Sequence, residues 1–187
     1  AGSAIIKNRC PYPVYVLSED SERVRSEIMI PAGTPYEEPI RKPSIGGVSF
    51  KVSKVSGKFD VITQLEYTVG NNENGYDFSQ MAFYDISFVD CVKGDIGSFD
   101  TTNCPAWDMG ISIVPPTGCA GLACPAGTEC LNGAYYVDFP PVKLGLPDPN
   151  SACTFDSPEK KIIYTLCDSQ PGAKRSVAGR ISYEEKF

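Results

Sequence analysis

The chain has no histidine among its 187 residues. That absence removes Ser-His-Asp and Cys-His nucleophilic chemistry, His-ligated zinc and imidazole acid–base catalysis together, so any reaction would have to run on carboxylates, lysine or tyrosine. Long cationic runs are missing too. Seventeen Lys and Arg stand against 23 Asp and Glu, a net charge of −6, and no basic stretch is long enough to track a phosphate backbone. Nucleic acid and anionic membranes are therefore not expected as partners, and no cofactor is expected. No apolar run approaches the roughly 18 residues of a spanning helix, no charged-then-apolar signal segment opens the chain, and no Asn-x-Ser/Thr acceptor occurs. The expectation is a mature, soluble, monomeric chain without N-glycosylation. No window before Cys91 carries an amphipathic helix of useful length.

Eight cysteines are present, with no Cys-x-x-Cys pair. An even number in that arrangement argues for disulfides formed in an oxidising compartment more than for a metal or redox motif. Short apolar-polar alternations recur between Gly, Pro and Asn clusters, the pattern of a β-sandwich or barrel. Ala4 to Cys10 and Tyr12 to Leu17 read as two strands around a proline kink, Ser18 to Ser26 as a loop, Val48 to Ser53 as a strand with Val48, Phe50 and Val52 on one face, and Phe59 to Val69 as another. In Gln64-Leu65-Glu66-Tyr67-Thr68-Val69, Leu65, Tyr67 and Val69 would face the core. In Tyr84-Asp85-Ile86-Ser87-Phe88-Val89-Asp90, Tyr84, Ile86 and Phe88 would. Glu66 and Asp85 then share an outer surface if the strands are neighbours, which solvated carboxylates on an acidic protein would also do. Asp90 has the wrong parity and joins them only if the strand ends or bulges before it.

From Cys91 onward Gly, Pro and Cys become dense, and a strand returns only at Lys161 to Leu166. This part reads as a disulfide-held, loop-rich lobe. Trp107 fits a buried anchor near a disulfide better than a sugar platform. Tyr135-Tyr136-Val137-Asp138-Phe139-Pro140 is an aromatic cluster open to two readings, lobe packing or a protein-binding patch. Asp95, Asp100 and Asp108 lack the spacing of a calcium loop. Residues 1–170 are expected as one domain, followed by a tail at 171–187 whose Lys174-Arg175 pair serves either as solvated charges or as a processing site. The expected fold is mostly β, a sandwich of roughly ten or more strands with both termini on one side.

Several segments resemble thaumatin-like proteins and occur in that family's order. They are Ile5 to Tyr15, Gln64-Leu65-Glu66-Tyr67, Tyr84 to Asp90, the Cys119 to Cys124 spacing and Tyr164-Thr165-Leu166-Cys167. The small size and the insert between Cys91 and Cys104 look most like the small fungal secreted branch, the antigenic thaumatin-like proteins. The resemblance implies a β-sandwich with a small disulfide-rich lobe and an acidic cleft between them. It also implies β-1,3-glucan binding, with weak hydrolysis in some members. Glu66 matches the family glutamate and Asp85 and Asp90 two of its aspartates. Tyr76-Asp77-Phe78-Ser79 is a second match that lacks the following Val-Asp. Val52 stands where the family has arginine, with Lys51 and Lys54 the nearest cations, and lysine lacks arginine's bidentate fork. The third aspartate has no secure counterpart.

The implied candidate carbohydrate-binding residues are therefore Glu66, Asp85, Asp90 and Lys51, with none assigned as catalytic or metal-binding. The implied disulfides are Cys10–Cys167, Cys91–Cys104, Cys119–Cys153 and Cys124–Cys130. The implied protein is secreted or cell-wall-associated and binds β-glucan, another wall polysaccharide or a host surface protein without strong catalysis. A weak β-1,3-glucanase and a secreted effector that binds a host protein are the alternatives.

Overall fold

The computed structural model describes residues 2–169 except 25, 71, 74, 75, 78, 79 and 158. Its strands are β1 (Ser3–Asn8), β2 (Val14–Asp20), β3 (Arg23–Val24), β4 (Ile28–Ile30), β5 (Pro35–Pro39), β6 (Val48–Ser53), β7 (Thr63–Val69), β8 (Asn72–Glu73), β9 (Tyr76–Asp77), β10 (Met81–Ser87), β11 (Ile111–Val114), β12 (Leu122–Cys124), β13 (Asn150–Thr154) and β14 (Lys161–Leu166). Helix among the described residues is one 3-10 turn, Trp107–Met109, and one short α-helix, Pro140–Lys143. One sheet runs β12-β11-β14-β1-β5, and a larger one runs β13-β10-β7-β6-β2-β3 with β4 also on β2. β8 and β9 pair separately as a hairpin. The fold is a mostly β, disulfide-rich sandwich.

The alternation read from the sequence builds the core directly. Val14, Val16, Phe50, Val52, Leu65, Tyr67, Tyr84 and Ile86 point inward from the larger sheet, and Ile6, Ile111, Ile162, Tyr164 and Leu166 from the smaller one; all are buried. Each large apolar side chain hidden this way contributes about 1.5–3 kcal/mol. Core tyrosines also tie layers together. Tyr164 Oη donates to the Glu66 carbonyl at 2.6 Å, and Tyr84 Oη to the Ala120 carbonyl at 2.5 Å. The first of these anchors β7 at Glu66, from the core side of the sheet.

Three readings of the sequence are corrected. Ser18 to Ser26 is not all loop: β2 continues to Asp20, and β3 folds back on it. The strand expected from Phe59 begins only at Thr63. The region after Cys91 supplies three strands, β11 and β12 to the smaller sheet and β13 to the edge of the larger. The expectation that both termini lie on one side falls on Ala1 and Phe187, outside the described residues. β1 and β14 pair in parallel, Ser3 beside Lys161 and Asn8 beside Leu166, so the first and last described residues sit at opposite ends of that strand pair. Residues 171–187, with Lys174 and Arg175, lie outside the described residues.

The disulfides are Cys10–Cys167, Cys91–Cys104, Cys119–Cys153 and Cys124–Cys130, the pairs implied by the family resemblance. In the chain-entropy model the first, spanning 157 residues, contributes about 5 kcal/mol and the shortest about 2. No described helix is long and apolar enough to cross a membrane.

Candidate functional site

Strand register sets one polar row across the outer face of the larger sheet. Glu19 of β2 pairs with Ser49 of β6, Ser49 with Glu66 of β7, Glu66 with Asp85 of β10, and Asp85 with Asn150 of β13. At about 4.8 Å per strand the row is roughly 19 Å long. Lys51 and Gln64 belong to the adjacent row. Above these residues lies an open groove of about 500 Å³, whose lining includes Glu19, Gly47, Lys51, Glu66, Thr68 and Asp85. Gly47 is required by close approach, since a Cβ there would stand 2.2 Å from Thr68 Oγ1 and 2.4 Å from the Tyr67 carbonyl oxygen.

The four candidate residues therefore gather on one face. Asp90 reaches it because β10 ends at Ser87 and the chain turns, with the Cys91 N–H donating to the Phe88 carbonyl. Gln64 Nε2 then donates to Asp90 Oδ2 at 2.9 Å. Lys51 forms an ion pair with Glu19. Val52 is fully buried on the inner face of β6 and so faces away from the groove, while Lys54 stacks over the Tyr12 ring beyond the end of the strand.

The lobe closes the far side of the row. Tyr135 is hooked onto β10 by two backbone bonds, its N–H to the Ile86 carbonyl and the Phe88 N–H to its own carbonyl, both 2.8 Å. Its hydroxyl accepts from Asn150 Nδ2 at 3.3 Å. Asp148, on the same lobe, adds its charge to the field at Asp85. Sequence reasoning missed both Tyr135 and Asp148 as site residues. The two tyrosines of the aromatic cluster differed only by parity, and Asp148 sits in a Pro-Asp-Pro loop that has no periodicity to read.

Electrostatics make Glu66 and Asp85 a coupled pair. Burial pushes the Asp85 carboxyl up, and the charge of Glu66, their mutual hydrogen bond and the charge of Asp148 push it further, to about 8. Burial also raises Glu66, with Asp90 adding to the rise while hydrogen bonds from Ser49 and Asp85 and the charge of Lys51 oppose it. Asp85 is thus the member of the pair held protonated, since two adjacent carboxylates in a partly buried site do not both ionise. Asp85 Oδ1 is buried and meets no donor among the described residues.

Behind the groove wall lies a cluster that the sequence concealed. Arg41 Nε donates to Asp20 Oδ2 at 2.7 Å and Arg41 Nη1 to Ser18 Oγ at 3.0 Å, and the guanidinium also pairs with Glu38. Tyr36 Oη donates to Glu38 Oε2 at 2.8 Å. A buried arginine satisfied this completely holds β2 and β5 together at one end of the sandwich, and losing it would strand two acids.

The remaining candidates are structural. Trp107 Nε1 donates to Tyr136 Oη at 2.8 Å, and Tyr136, packed on Phe88 and Phe99, accepts the Cys130 N–H at 3.2 Å. Phe139, by contrast, is 70 % exposed. Among the described residues no group of three acids or cysteines could hold a metal ion, so Asp95, Asp100 and Asp108 form no such site.

No curated protein matches the sequence. Among solved structures, the protein elicitor MoHrip2 from Magnaporthe oryzae superposes with a TM-score of 0.62 at 21% identity, covering 89% of this chain and 99% of the other. The thaumatin-like xylanase inhibitor TLXI superposes with a TM-score of 0.49 at 11% identity over the same shares. The family model described as the Blastomyces yeast-phase-specific protein, Bys1, matches residues 1–168, and the chain belongs to that family.

Proposed function

We propose that the protein is a secreted, cell-wall-associated fungal protein of thaumatin-like type, in the antigenic branch, whose groove binds β-glucan or a related wall polysaccharide without cutting it. The observation that carries this reading is the register that sets Glu66 of β7 directly opposite Asp85 of β10, so that the two carboxyls act on each other. Glycoside hydrolysis places two carboxyl groups about 5–9.5 Å apart across the scissile bond, one as acid and one as nucleophile or base. Directly paired cross-strand residues, with Cβ atoms about 4.5–5.5 Å apart, lie side by side on one face of the sheet, on the same side of any bound chain rather than across one of its bonds. The same pair suits a neutral sugar, because the Glu66 carboxylate, held in place by Asp85, accepts hydrogen bonds from hydroxyls. Lys51, Gln64 and Asp90 extend the polar floor.

A second reading, a secreted effector that binds a host protein, draws on the exposure of Phe139 (70 %) and Val142 (85 %) at the lobe tip. One solved structure with a similar fold is that of a protein elicitor. Weak β-1,3-glucanase activity through the groove carboxylates is a third.

Co-sedimentation with insoluble β-1,3-glucan, run beside a reducing-sugar assay on laminarin, separates them. The expected outcome is retention that falls about tenfold in Glu66→Ala/Asp85→Ala, with no reducing ends released by either protein. Turnover that disappears in Glu66→Gln would establish the glucanase, and no retention at all would leave the protein-binding reading.

A further inference from the structure

A second cavity, of about 390 Å³, opens between the β6–β7 connection and the loop around residue 103. Its walls are pinned. The Cys91–Cys104 disulfide closes the loop, Thr63 Oγ1 donates to the Pro105 carbonyl at 2.7 Å, and Ser53 Oγ donates to the Val55 carbonyl at 3.0 Å. The Lys58 N–H donates to that same carbonyl at 3.2 Å. The lining is mainly carbon, with Val55, Val61, Pro105 and the side chains of Lys54 and Lys58 among it. Asp60 is the carboxylate in the wall, yet neither lysine forms an ion pair among the described residues. Lys54 is instead steadied over Tyr12, 5.5 Å from the ring centre. Two lysines that line one apolar depression without an ion pair among the described residues run against the net charge of −6 of the chain.

We infer that this cavity binds a small amphipathic organic anion, with its apolar body against Val61 and Pro105 and its carboxylate, sulfonate or phosphate head between Lys54 and Lys58. A preformed, mostly apolar pocket of a few hundred Å³ with a few convergent polar groups is the usual form of a small-molecule site. The cavity occupies the opposite end of the β6–β7 hairpin from the groove, so the inference stands independently of the proposed function.

The test is a fluorescence titration of the intact protein with 8-anilinonaphthalene-1-sulfonate. Saturable one-to-one binding displaced by octanoate is expected, with backbone amide shifts confined to residues 53–61 and 102–105. Lys54→Gln/Lys58→Gln should weaken it about five- to tenfold, since exposed charge pairs contribute modestly, while Lys143→Gln, which removes a charge on the lobe, leaves it unchanged. The uncharged parent N-phenyl-1-naphthylamine should bind more weakly by a similar factor. Both lysines are exposed, and an unchanged near-ultraviolet spectrum verifies that the double variant is folded. Absence of saturable binding, shifts centred elsewhere, or equal binding by wild type and the lysine variant would overturn the inference.

Discussion

At the scale of single residues, one proton governs the groove. Asp85 is held protonated to about pH 8 in the folded chain, whereas an aspartate in an unfolded chain titrates near 3.9. The folded state therefore binds more protons than the unfolded state between those values. The stabilisation from this group is complete below about pH 4 and is lost as pH rises through 8. Asn at this position keeps a neutral donor toward Glu66 at every pH. Asp85→Asn should match the wild type in urea unfolding at pH 4 and exceed it by about 2–5 kcal/mol at pH 9, since each tenfold change in proton affinity is worth roughly 1.4 kcal/mol. A difference that does not change with pH would mean that Asp85 ionises normally. The sequence showed that Glu66 and Asp85 could share a face, because period-two parity is local. It could not show their contact, which depends on register between strands, nor the approach of Asp148 from a loop.

Elements show the same division between local and distant information. Lys161–Leu166 was legible to the residue because it is a compact β-branched and aromatic run, Ile-Ile-Tyr-Thr-Leu, bounded by polar and turn residues. The end of β2 was not. Ser18 and Asp20 face inward, so the last three residues of the strand look polar on both faces, and only Arg41 and Glu38, arriving from β5 and just beyond it, make that inward polarity tolerable. The strands after Cys91 were hidden for a related reason: β11, β12 and β13 are short and depend on pairing with β14 and β10 rather than on their own pattern. At the groove, the meeting of β6 and β7 depends on Gly47. Gly47→Ala should cost about 2 kcal/mol or more, because the new methyl would overlap backbone as well as the Thr68 hydroxyl. Thermal unfolding measures this, and an unperturbed melting temperature would show that the β6 entry moves aside freely.

At the scale of the whole molecule, two sheets and a stapled lobe hold a rigid polar row open to solvent, and the central claim is that this row receives a polysaccharide and leaves it intact. The Cys10–Cys167 bond was visible only through family resemblance and the parallel β1–β14 pair was not visible at all, since no local pattern joins residues 157 positions apart. The most direct test is an amide-resolved NMR titration with a soluble β-1,3-glucan oligosaccharide, followed by analysis of the sugar recovered from the same tube. Saturable shifts centred on Gly47, Ser49, Glu66, Thr68 and Asp85 are predicted, with the oligosaccharide recovered at its original length. Shifts centred on Phe139 and Val142, no shifts at all, or shortened sugar would contradict the claim.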